Sequence, residues 1–268
     1  MSKIFNTFNN KSPWEVYSLI AMGKIRNAYS GIKFFAGLST TTESDLWYPG
    51  GDLVYLDAAD TMEILSDNIA DVDQGLGAWT VKIWGLDENW LIKSETVTMT
   101  GTTPVSTTAA FVRVWRATVI SAGSDIGAYG NITVRGASLG NTQAYIKLGA
   151  NQTLMSHFTP PANMSMLVVG GTLAAEQGKA VHYHVKTRDA GSANSVWKIK
   201  RAFDVYQASH EVTAWVPRLI KSMTDYKWTQ EGVANGDKVS GDYSFILLDN
   251  ALINPEEADP LGNDLLEL

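Results

Sequence analysis

The sequence contains no cysteine. Disulfides, thiolate-ligated zinc, iron–sulfur clusters and thiol nucleophiles are thereby all excluded. Long hydrophobic runs are missing as well, and the longest, at residues 16–22 and 164–169, fall far short of the ~20 apolar residues of a membrane-spanning helix. Residues 1–10 carry no apolar stretch, and the first one that follows has no small-residue cleavage site behind it, so no signal peptide is expected. Charge is scarce. Only 18% of residues are charged, against a usual value of about 25%. With 21 Lys and Arg against 28 Asp and Glu, the formal net charge is −7, which excludes a basic nucleic-acid binder. Neither a nucleic acid nor a membrane is an expected partner. What the chain does have is apolar bulk: 45% of its 268 residues are hydrophobic, nine of them Trp, which rules out disorder and suffices for a core.

Ser12-Pro13-Trp14-Glu15 is a helix start, with a capping Ser, Pro in the first turn and Glu three residues after the cap. Gly23 ends it. Trp14, Val16, Tyr17, Leu19 and Ile20 leave almost no polar face, so this helix is expected to be buried against the body or another subunit. Pro49-Gly50-Gly51 marks a turn, and residues 53–56 read as a short strand. Met62, Leu65 and Ile69 fit helical spacing, but Thr61-Met62-Glu63-Ile64-Leu65 between Asp-rich turns reads better as a strand. Alternation at 80–84 and 95–100 gives half-buried antiparallel strands, and β-branched runs follow at 111–120, 132–134 and 144–148. A second set lies at 154–159, 164–173, 181–187, 196–206, 220–230 and 243–248, separated by turn residues. The fold class expected is therefore all-β, of the antiparallel β-sandwich or jelly-roll type, with two β-rich domains and a short N-terminal helix. The expected units are an arm at 1–44, sandwiches at 45–150 and 151–250, and an acidic tail at 251–268.

No constellation carries catalysis. Gly136-Ala137-Ser138-Leu139-Gly140 matches a nucleophile elbow, but loop and strand residues follow where a helix is required. His182 and His184 share one strand face, yet Lys186 and Arg188 on that face oppose a cation and no third ligand is evident, so no metal ligands are assigned. Asp67, Asp71 and Asp73 resemble a calcium loop, but Gly75 and Lys82 stand where an EF-hand needs oxygen ligands. Asp87, Glu88 and Glu95 flank Trp84 and Trp90, as glycosidase carboxylates would, though nothing fixes their separation and turn packing accounts for them. No cofactor is implied.

Two strands do suggest a partner. Lys198 and Lys200 oppose Trp197, Ile199 and Phe203, while Lys186 and Arg188 oppose Val181, Tyr183 and Val185, so adjacent strands would present one basic patch to an acidic neighbour. The acidic tail reads as solvated, and its interleaved Leu265 and Leu266 leave inter-subunit docking open. Trp14, Tyr17, Ile20, Lys186, Arg188, Lys198, Lys200, Leu265 and Leu266 are the candidate inter-subunit contacts.

Asp45-Leu46-Trp47-Tyr48-Pro49-Gly50-Gly51 and Gly75-Leu76-Gly77-Ala78-Trp79-Thr80-Val81-Lys82-Ile83-Trp84-Gly85-Leu86-Asp87 resemble a group of tailed-bacteriophage virion structural proteins. So do Ser94-Glu95-Thr96-Val97-Thr98-Met99-Thr100-Gly101-Thr102-Thr103-Pro104-Val105, Phe111-Val112-Arg113-Val114 and Gly130-Asn131-Ile132-Thr133-Val134. The likeness spans about residues 15–170 and consists of turns and strands without a catalytic signature. It implies a non-enzymatic β-rich virion protein assembled in the host cytoplasm. A capsid cement or decoration protein is the leading expectation, partnered by copies of itself in a symmetric oligomer and by the major capsid protein. A tail, neck or baseplate protein touching host glycans through Trp84 and Trp90 is the alternative.

Overall fold

The computed structural model describes residues 12–206 and 209–253, which form one helix and fifteen strands. Helix α1 (Pro13–Ala21) begins as its sequence dictates: the Glu15 amide donates to Ser12 Oγ at 3.3 Å and the Ser12 amide to Glu15 Oε2 at 2.6 Å. Strands β1 (Ala28–Leu38), β15 (Lys238–Asp249), β10 (Met164–Ala175) and β13 (Ser209–Ile220) lie in that order in an antiparallel sheet, here sheet A. Strands β12 (Lys198–Tyr206), β11 (Ala180–Asp189), β14 (Thr224–Gly232) and the two-residue β2 (Ser44–Asp45) form sheet B. The two sheets bury Phe35, Met166, Tyr183, Trp228 and Tyr243 between them.

The remaining strands build a second sandwich. One sheet has the order β6 (Val105–Phe111), β3 (Asp60–Ser66), β8 (Ile132–Gly136), β9 (Thr142–Ile146), and the other β5 (Ile92–Thr98), β4 (Ala78–Leu86), β7 (Arg113–Ala122). Met62, Ile64, Val81, Ile83, Phe111 and Ile132 are its core. The period-two pattern is plain in β3, where Met62, Ile64 and Ser66 point inward, and in β11, where Val181, Tyr183 and Val185 do. The chain is thus all-β and antiparallel, as expected.

Chain order differs from the sequence expectation. Residues 28–38, placed in an arm, form β1 and pair along their whole length with β15. Gly31 and Gly37 interrupt that strand and Ile32 and Phe34 point outward, so no simple alternation marks it. The β3–β9 sandwich is therefore inserted between β2 and β10 of the other. The strands expected at 53–56 and 154–159 are instead parts of extended crossovers, the second joined by isolated bridges of Trp47 with Met155 and Phe158 with Tyr226. Helix α1 packs Ile20 against Ala28 and Ile246 on the outer face of sheet A, but Trp14 is 78% exposed, so the helix is half-covered and not buried. Leu265 and Leu266 lie outside the described residues.

Candidate functional site

The second face of sheet B is turned towards the inserted sandwich. Along it, β11 and β14 set Arg188 opposite Asp225, Lys186 opposite Lys227, His184 opposite Thr229 and His182 opposite Glu231. Asp225, Lys227 and Thr229 are nonetheless buried, because β7 and the two crossovers cover that end.

Asp225 is the centre of the covered end. It accepts from Arg113 Nε at 2.8 Å and Nη2 at 3.0 Å, from Arg188 Nη2 at 2.6 Å and from Thr159 Oγ1 at 2.6 Å. Burial alone would raise its carboxyl pKa, but the Arg113 fork, Thr159 and Arg188 outweigh burial and hold it below the usual range. Arg113, projecting from β7 of the inserted sandwich, also donates to the carbonyls of Leu56 at 2.9 Å and Val112 at 2.7 Å. One carboxylate thus joins the two sandwiches.

Lys186 and Lys227, directly opposite and of like charge, would repel. Each is drawn to its own carboxylate: Lys186 Nζ lies 2.7 Å from Glu43 Oε1 and Lys227 Nζ 2.5 Å from Asp45 Oδ1. Asp45 Oδ2 also meets His157 Nε2 and the Leu53 amide, each at 2.8 Å. Burial would raise the Asp45 carboxyl, yet His157 and Lys227 bring it down to about 2. Glu43, opposed by burial in the same way, is brought to about 2 by Lys186, Thr229 and His184.

Aromatic rings roof these charges. Arg113 lies 4.9 Å from the ring centroids of both Tyr55 and Trp90, Arg188 4.6 Å from Tyr55 and 4.7 Å from Trp197, and Lys227 4.4 Å from Trp197. Burial, then Asp225 and Asp45, push the Tyr55 hydroxyl well above its ordinary pKa against the pull of the two arginines. Two cavities of about 350 and 320 Å³ open here, sharing Tyr55, Asp57 and Arg188. The Tyr55 hydroxyl and Arg188 Nε, both buried, have no hydrogen-bond partner among the described residues.

The expected basic patch does not form. A register shift between Val185 and Lys186 sets Lys198 opposite Thr187 and leaves Lys200 at the bulge, lining a crevice with Val168 and Val185. Lys186 and Arg188 stand on the other face and are both ion-paired. Trp84 lies on β4 with Lys82 at 4.9 Å and Arg116 at 5.6 Å from its ring, while Trp90 sits in the cleft against Arg113. The carboxylates near them bind backbone: Glu95 accepts from the Thr108 and Ala109 amides, Asp87 from those of Asn89 and Leu91. Buried Asp71 accepts from Ser66 Oγ and from the amides of Ala78, Tyr129 and Gly130, which explains the Asp-rich turn. Arg113, Asp225, Asp45 and Tyr55 escaped sequence reasoning. The alternation of Asp225, Lys227 and Thr229 with Tyr226, Trp228 and Gln230 was the available signal, but it reads as an ordinary solvated face unless a second layer is known to cover it.

No family model matches the sequence, and no curated protein matches it significantly. Among solved structures, the chain is similar to the infectious bursal disease virus VP2 subviral particle at 8% identity and a TM-score of 0.18, over 90% of this chain and 79% of that one. It is also similar to the structure of infectious bursal disease virus Gx strain at 10% identity and a TM-score of 0.11, over 87% and 83% of the two chains. At TM-scores this low, neither likeness extends to the role of this chain. The resemblance to tailed-phage virion proteins has no counterpart among the family models or the curated proteins.

Proposed function

We propose that this chain is a non-enzymatic structural subunit of a tailed-phage particle, a cement or decoration protein that associates with copies of itself and with the major capsid protein. The observation that carries this reading is the outer face of sheet A. Its edge strand β1 presents Ile32 and Phe34, 53% and 52% exposed, together with Leu38, and α1, which packs on the same face through Ile20, exposes Trp14. An edge strand with an apolar row is an aggregation liability in a free monomer and a ready contact in an assembly. The resemblance in the turn and strand motifs supports the same reading. The tail or baseplate alternative rests on Trp84 and Trp90, whose rings already carry cationic side chains.

Quantitative mass spectrometry of purified particles, against the major capsid protein, separates the two. Hundreds of copies per particle are expected of a cement protein. A count of about six or twelve, as cyclic symmetry at one vertex would give, would overturn cement in favour of a neck or tail position.

A further inference from the structure

At the open end of the charged face, His182 and His184 stand side by side on β11, with ring centroids 4.3 Å apart and planes at 88°. His182 Nδ1 lies 2.5 Å from Asp204 Oδ1, and His184 Nδ1 lies 2.8 Å from Glu43 Oε1. The two Nε2 atoms face each other at 2.8 Å. An ionised carboxylate can only accept, so each Nδ1 donates to its carboxylate, and the nitrogens left facing each other are the two Nε2 atoms. Two acceptors at that distance repel unless a positive species satisfies both.

We propose that His182 and His184 are a chelating pair for a divalent transition-metal ion of tetragonal preference, the class of Cu²⁺ and Ni²⁺. A carboxylate on the far nitrogen of each imidazole is the outer-shell arrangement that fixes the tautomer and raises the basicity of a ligating histidine. Asp204 on β12 and Glu43 just before β2 supply one each. Bonds of about 2.0–2.1 Å meeting at a right angle set their nitrogens about 2.9 Å apart, whereas a tetrahedral angle needs about 3.4 Å. The 2.8 Å separation fits the right angle, and tetragonal N,O sites select Cu²⁺ and Ni²⁺.

The charge objection raised by the sequence is removed by the pairing. Lys186 is paired with Glu43, and Arg188 shares Asp225 with Arg113 at the far, covered end of the face, while Asp204 and Glu231 occupy the positions directly opposite His182 on β12 and β14. The balance around the pair is therefore negative. Among the described residues no three His, Cys, Asp or Glu side chains come together as ligands. Water completes the coordination, as in an open, exchangeable site. The proposal stands on the histidine geometry and does not depend on a role in a particle.

The test uses the untagged full chain, stripped with a chelator and titrated with Cu²⁺ by calorimetry, with electron paramagnetic resonance of the one-equivalent complex. One ion per chain and hyperfine structure from two imidazole nitrogens are expected. Asp204→Asn, a substitution at an exposed edge position, is expected to weaken binding by about 10–100-fold through loss of the orienting partner alone. His182→Ala and His184→Ala, checked for folding by circular dichroism, are expected to lose at least as much and to abolish the two-nitrogen signature. Equal affinity in wild type and both alanine variants would overturn the proposal. So would a complex without imidazole nitrogen coupling, which would leave the pair sharing a proton only.

Discussion

Asp225 is the residue on which the contact between the sandwiches turns. Its carboxylate serves two guanidinium groups that come from different sandwiches, and it is fully buried. A buried ion pair adds little net stability beyond an apolar substitute of equal volume, but removing one partner strands the others. Asp225→Ala leaves Arg113 without its fork and Arg188 without its buried acceptor. We expect it to lower unfolding stability by about 3–5 kcal/mol, measured by urea denaturation. A loss below about 1 kcal/mol would mean that water replaces the carboxylate and that the contact is not held there.

Among the elements, β7 is placed by β4. A Cβ on Gly85 would lie 1.9 Å from the Arg113 carbonyl oxygen, so only glycine lets the two backbones approach where the register shifts between Trp84 and Gly85. Gly85→Ala must push β7 outward and carry Arg113 away from Asp225. We expect a lowered melting temperature together with loss of the near-ultraviolet signal from Trp90 and Tyr55, which pack on Arg113; an unchanged spectrum would show that β7 absorbs the methyl elsewhere. Much of this level was legible in the sequence. The capping box at Ser12, the alternation in β4, β8 and β11 and the glycine-rich turns each act over a few residues, and each predicted its element. What escaped depends on distant partners. The β1 pattern makes sense only beside β15, and the bulge that turns Lys198 and Lys200 away from Lys186 arises from pairing that one strand cannot reveal. Of the site, the sequence marks Lys186, Arg188 and Trp90, but as surface residues; that the face is covered follows from the insertion, which no local pattern encodes.

For the whole molecule, the consequence is a contact that weakens in acid. Asp45 titrates at about 2 when folded against an ordinary 3.8, so the stability it contributes is complete above about pH 4 and is lost as pH falls towards 2. Asp225, also held below its ordinary value, acts in the same direction and at the same contact. We expect the urea midpoint to drop between pH 4 and pH 2, and the Asp45→Asn variant to show a lower but flatter profile over that range. A wild-type profile that stays flat there would remove these carboxylates as acid-sensitive ties. The insertion has a further consequence, for the order of synthesis. Ala28 pairs with Leu248, so a nascent β1 finds its neighbour only after β15 has emerged, whereas β3–β9 can close on themselves much earlier. Until then Phe35, Ile32 and Phe34 of β1 face water on both sides of an unpaired strand. A segment rich in exposed apolar surface in the finished molecule is thus also one left long without shelter while the ribosome is still at work.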